Sequence, residues 1–228
     1  MNFRALRGAT FGVALGLLVI SAVAKPSRDS KSFDEPAPAP ARPRWLLSDM
    51  MELGESQPAR LVRLAKGLFS SERLRMASID PTYAFDWQHR LAAVSALAHL
   101  FDPAAQKNVA FHGARTAILA SARDVMRLAL TEDPSLLVRD GAVEAVRRVV
   151  RMQPKEGKLW GRSLERAFMD PKNYIEGEGL FIRETILMAL REAQLKPSTA
   201  VRRAAERDAN PQVRSQLRQW NTSAYESL

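Results

Sequence analysis

The chain has 228 residues, 34 Lys and Arg against 25 Asp and Glu, a formal net charge of +9, and no cysteine. The missing cysteine excludes disulfides, thiolate zinc sites, iron–sulfur clusters, a cysteine nucleophile and a lipidated cysteine. An apolar fraction of 46% is ordinary for a chain with a packed core and excludes wholesale disorder.

Residues 1–24 read as a secretory signal. Arg4 and Arg7 form the positive n-region, Ala9 to Val23 form an uncharged, mostly apolar stretch, and Ala22-Val23-Ala24 supplies a small-x-small site. Cleavage is therefore expected between Ala24 and Lys25. The stretch is shorter than the roughly 20 residues of a spanning helix. An uncleaved anchor is the alternative, and the one expected route to a membrane. Either way the rest of the chain is exported, periplasmic or secreted, and the signal's brevity points to a Gram-negative envelope. Cleavage removes two Arg and no acid, leaving 32 bases against 25 acids. An exported chain is not expected to meet nucleic acid, so anionic envelope material or an acidic protein is the expected counterpart of this surplus.

Residues 25–44 hold Pro26, Pro36, Pro38, Pro40 and Pro43 with few apolar residues. The Ala-Pro alternation at 37–41 favours extended polyproline geometry, so this segment reads as a disordered tether. From Trp45 onward the apolar positions take a helical period, and residues 45–228 form the predicted domain. Leu61, Leu64, Ala65 and Leu68 fall on one helical face, and Ala114, Ile118, Ser121, Val125 and Leu128 on another. No strand-like alternation of useful length occurs. The fold class is all-α.

Three helices share one template: Arg90-x-x-Ala93-Val94-x-Ala96-Leu97, Arg139-x-x-Ala142-Val143-x-Ala145-Val146 and Arg183-x-x-Ile186-Leu187-x-Ala189-Leu190. Val213-Arg214, Leu217 and Trp220 make a fourth, degenerate copy. Asp80-Pro81, Asp133-Pro134, Asp170-Pro171 and Asn210-Pro211 precede the copies. The residue before proline leaves the α region, and the polar residue and proline suit the cap and first turn of the next helix. A helix, a turn and a second helix make a unit that buries its apolar side only by stacking on neighbours.

Asp133 lies six residues before Arg139, with Val138 between them, and Asp208 lies six before Arg214, with Val213 in the same place. This spacing resembles that of the HEAT-repeat family over roughly residues 58–220. The resemblance implies a right-handed α-solenoid of about four paired antiparallel helices. It also implies a ladder linking successive turns, carried over to Asp133, Arg139, Asp208 and Arg214 only. In the other units Arg90 follows Asp80 by ten residues and Arg183 follows Asp170 by thirteen, and Asp86 and Glu178 are nearer candidate partners. An armadillo-like or unrelated helical bundle is the structural alternative. Read as a partly exposed pair, a ladder rung contributes about 0–1 kcal/mol, against about 1.5–3 kcal/mol for each fully buried Leu, Val or Ile. Val146→Asp is accordingly expected to unfold the domain and Arg139→Ala only to weaken it.

Catalytic chemistry is not indicated. No two of His89, His99 and His112 stand at i, i+3 or i+4, and none joins the His-Glu pairs with which some HEAT-like enzymes bind iron. Gly177-Glu178-Gly179 lacks phosphate-loop spacing, no Gly-x-Ser-x-Gly elbow occurs, and Asp49, Glu52 and Glu55 read as one side of a short helix. No enzyme activity, cofactor or metal is expected. The inserted corners at 80–90 and 170–183 carry Tyr83, Phe85, Trp87, Tyr174 and Phe181 beside polar groups. These are either anchors for a protein partner in the envelope or, for Phe85, Trp87 and Phe181, side chains folded back over the core. The alternative site is a basic helix face of Arg147, Arg148, Arg151 and Lys155, with Lys158, facing an anionic polymer or lipid headgroups.

Overall fold

Apolar residues at helical spacing, broken by proline and capping side chains, give ten α-helices and no strand among the residues that the computed structural model describes: 47–80, 86–111, 113–174 and 182–223. The expected signal at 1–24, the tether at 25–44, Tyr83, Phe85, His112, the Gly177–Gly179 loop and Phe181 lie outside them. The helices are α1 (Leu47–Ser56), α2 (Pro58–Leu68), α3 (Ser71–Ile79), α4 (Trp87–His99), α5 (Arg115–Thr131), α6 (Leu136–Met152), α7 (Gly157–Met169), α8 (Ile182–Glu192), α9 (Thr199–Glu206) and α10 (Pro211–Ser223). None is long and apolar enough to cross a membrane.

Local chemistry sets the boundaries. Ser70 accepts from the Arg73 amide at the start of α3, and Ser198 from the Val201 amide at the start of α9. Proline opens α2 and α10, where its missing amide hydrogen costs nothing. The Asp-Pro turns differ from expectation. Pro134 stands two residues ahead of α6, and Pro171 opens a short 3₁₀ turn, Pro171–Asn173, rather than α8. Among the described turns, Pro211 alone begins the helix that its Asn-Pro turn predicts, and Pro81 lies outside the described residues.

Packing arranges the helices in two rows. One row is α1, α4, α6, α8 and α10, each touching the next, and the other is α2, α5, α7 and α9. The rows also touch each other, at α5 with α6, α7 with α8 and α9 with α10, while α3 packs on α2. Leu97, Val146, Trp160, Leu164, Phe168 and Ile186 are wholly enclosed in the interior between them. The α2 stripe holds, with Leu61, Ala65 and Leu68 buried. In α5 the inward face is rotated from the expected stripe: Leu119, Ala122, Met126 and Leu130 join Ile118 and Val125 inside, and Leu128 is 40% exposed. Helix α5 meets α2, α4, α6 and α7 at once, so its buried arc is wider than one stripe.

Candidate functional site

The template arginines converge on the turns at one edge of the molecule. Arg90 in α4 donates from Nε to Asp133 Oδ2 at 2.7 Å and from Nη2 to Oδ1 at 3.2 Å, a two-pronged pairing with both side chains buried. Arg139 in α6 donates from Nε to Asn173 Oδ1 at 2.9 Å and from Nη2 to the Lys172 carbonyl at 3.2 Å. Arg183 in α8 pairs with Asp208 through Nη1 to Oδ2, and through Nη2 to Oδ1 at 2.9 Å. Each arginine thus reaches forward to the turn that precedes the next template helix.

The turns are fastened from their own side too. Arg139 Nη1 donates to the Asp133 carbonyl at 2.6 Å, and Arg214 Nη1 to the carbonyls of Asp208 and Ala209. Asp133 Oδ1 accepts the Ser135 amide at 2.8 Å, and Asp208 Oδ1 the Asn210 amide at 2.9 Å. Asn173 takes the place of the acid in the middle turn, its Nδ2 donating to the Ala167 carbonyl at 2.7 Å, while Asp170 accepts the Lys172 amide. Burial pushes the pKa of Arg139 below its ordinary value, against the opposing pull of Asp170 and Asp133.

Within a unit, the side chains of Asp133 and Arg139, and of Asp208 and Arg214, do not pair with each other; their bond is guanidinium to backbone carbonyl. The bonds that reach from one template helix to the turn before the next, called rungs below, join Arg90 with Asp133, Arg139 with Asn173, and Arg183 with Asp208. Sequence reasoning missed Asn173 and, for Arg90 and Arg183, offered Asp86 and Glu178 as candidate partners in place of Asp133 and Asp208. The available signal was the template itself, an arginine placed three times in an apolar stripe, which demands a buried acceptor. The rungs are also more enclosed than expected, so the figure for an exposed pair does not apply to them.

Of the predicted anchors within the described residues, Trp87 is half-buried and packs against the core, which is the folded-back alternative. Tyr174 is 41% exposed and stacks on the Arg183 guanidinium, 3.7 Å from the ring centroid. That pairing places an exposed aromatic ring beside a buried rung.

The predicted basic run does not form one surface. Arg147 is buried, donating to Glu144 Oε1 at 2.6 Å and to both oxygens of Glu192, and Arg151 also donates to Glu192 at 2.6 Å. Burial alone would raise the Glu192 pKa, but hydrogen bonds from Arg147 and Arg151 hold it below its ordinary value. These two arginines tie α6 to α8, which leaves Arg148, Lys155 and Lys158 as exposed bases. His89 lies 3.7 Å from the Asp86 carboxylate and His99 3.6 Å from that of Glu55. No three His, Asp or Glu side chains among the described residues gather in a metal-binding group. Compared with family models, with curated proteins and with solved structures, the chain matches none.

Proposed function

We propose that the chain is an exported, non-enzymatic HEAT-like scaffold that holds another envelope protein along the edge of its turns. In this reading the paired helices form a right-handed α-solenoid, and residues 1–24 direct export. The observation that carries it is the recurrence of one bonding pattern at three successive turns, Arg90 with Asp133, Arg139 with Asn173 and Arg183 with Asp208. A pattern that repeats from unit to unit fixes the spacing of the corners, and a fixed corner loses little entropy when a partner docks. Tyr174 is the anchor the edge offers, its ring already oriented by Arg183. A rigid, amphipathic aromatic of this kind suits the centre of a protein interface.

The test is affinity capture from envelope extract with the native chain and with Tyr174→Ala. The expected outcome is a protein retained by the native chain and lost with the variant, at equal helical circular dichroism. Trp87 is unsuitable for this purpose because its truncation would disturb the core. Equal retention by both chains would place the contacts elsewhere.

A further inference from the structure

A second surface lies on the outer side of the α2, α5, α7 and α9 row. These four helices carry eleven Lys and Arg against three acids, Asp124, Glu165 and Glu206. The other row carries nine bases and seven acids, and Arg90, Arg139, Arg147 and Arg183 within it are buried. The charge surplus of the helices is therefore gathered on one row, and it faces outward. Arg60, Arg63 and Lys66 stand on the exposed side of α2, Lys158, Arg162 and Arg166 on that of α7, and Arg202 and Arg203 on that of α9.

Bonds between neighbouring helices make this one continuous surface. Lys66 Nζ donates to Ser121 Oγ at 3.1 Å, Arg127 Nη2 to the Leu159 carbonyl at 3.1 Å, and the Ser198 amide to Glu165 at 2.6 Å. An open groove of about 480 Å³ between α5 and α7 is lined by Arg127, Arg162 and Arg166 together with Leu128, and by Asp124 and Glu132. These two acids pair with Arg127 and Arg166 and leave Arg162 as the groove's unpaired base among the described residues. Lys158, Arg162 and Arg166 follow one another at i, i+4, a spacing at which like charges repel. Arg63, Lys158, Arg162 and Arg203 have no carboxylate partner among the described residues, unlike Arg123, Arg127 and Arg166. Leu128, Leu159 and Met169 are exposed by 40%, 47% and 42% among these bases.

We propose that this face docks on an anionic phospholipid bilayer. The bases meet the headgroup phosphates, and Leu128, Leu159 and Met169 enter the boundary with the acyl chains. Aliphatic side chains interleaved with bases have no counterpart on a nucleic-acid backbone. The aromatics of this row, Trp160 and Phe168, are wholly buried, so nothing there stacks on the bases of a single strand. The proposal is independent of the turn edge and stands whether or not that edge holds a protein.

The experiment is co-sedimentation of the full chain with phosphatidylcholine vesicles, with and without phosphatidylglycerol. The native chain and its variants share the same N-terminal segment, with its own bases Arg4 and Arg7, so comparison among them at one vesicle composition removes that segment's contribution. At about fivefold per basic side chain, the triple variant Arg63→Ser, Lys158→Ser, Arg162→Ser loses roughly a hundredfold in binding to the phosphatidylglycerol vesicles. Arg162→Ser alone loses about fivefold, while Arg148→Ser, on α6, loses nothing. All variants keep the native circular dichroism, because the replaced side chains are exposed. Binding indifferent to phosphatidylglycerol, or an equal loss with Arg148→Ser, would overturn the proposal. So would displacement from the vesicles by an oligonucleotide of matched charge, which would assign the face to nucleic acid.

Discussion

Arg90, Arg139 and Arg183 show what a guanidinium requires inside an apolar stripe: acceptors delivered by another part of the chain. Removing one partner leaves the other charged and unsolvated, so Arg90→Ala, which strands Asp133, costs about 3–5 kcal/mol. Arg166→Ala removes an exposed pair with Glu132 and stays within about 0.5 kcal/mol. Urea unfolding midpoints of the two variants check this, and equal midpoints would show that the rungs are ornamental. Asp140 gives the opposite case. Burial, then the nearby Glu144, raises its pKa above the ordinary 3.8. The folded state holds that proton more tightly than the unfolded chain, so the stability attached to it is present below the unfolded pKa. It is lost as the pH rises through the higher folded value. Asp140→Asn is thus expected to raise the melting temperature at pH 7, with the gain vanishing below the ordinary aspartate range. A gain that persists in acid would mean the carboxylate's charge is not the cause. The template arginines were legible in the sequence; their partners, 43, 34 and 25 residues away, were not.

Helices are decided over a few residues, and the stripes of α2 and α5 and the template of α4, α6, α8 and α10 could be read directly, whereas α3, α7 and α9 were not placed. What the reading lacked was the number of neighbours each helix would have, which is why the inward face of α5 came out rotated and Leu128 fell outside it. Close approach between elements is decided the same way. A Cβ built on Gly157 would lie 2.9 Å from Ala193 Cβ and 3.2 Å from that residue's Cα and carbonyl oxygen, atoms that cannot swing aside. On Gly67, in the exposed part of α2, it would meet nothing within 4 Å. Gly67→Ala is expected to stabilise by up to about 1 kcal/mol through helix propensity alone. Gly157→Ala is expected to destabilise, because the end of α8 must move. Thermal melts of the two variants should shift in opposite directions, and a common direction would show that propensity outweighs the contact.

At the scale of the molecule, gathering like charges on one row is a strain that salt relieves. Sodium chloride is expected to raise the melting temperature of the native chain, and the triple variant at Arg63, Lys158 and Arg162 is expected to melt higher at low salt and respond less. A variant as salt-sensitive as the native chain would show that the row's charge does not govern stability. By itself the sequence determined the helical class, the repeated template and the polar turns, because periodicity, proline and capping act between residues a few positions apart. Only the tertiary structure decided that Arg90 meets Asp133 rather than Asp86, that Arg147 is enclosed by carboxylates, and that bases from four separate helices share a surface. Those outcomes depend on which elements lie side by side, and that is set by the packing of apolar faces whose neighbours are distant along the chain.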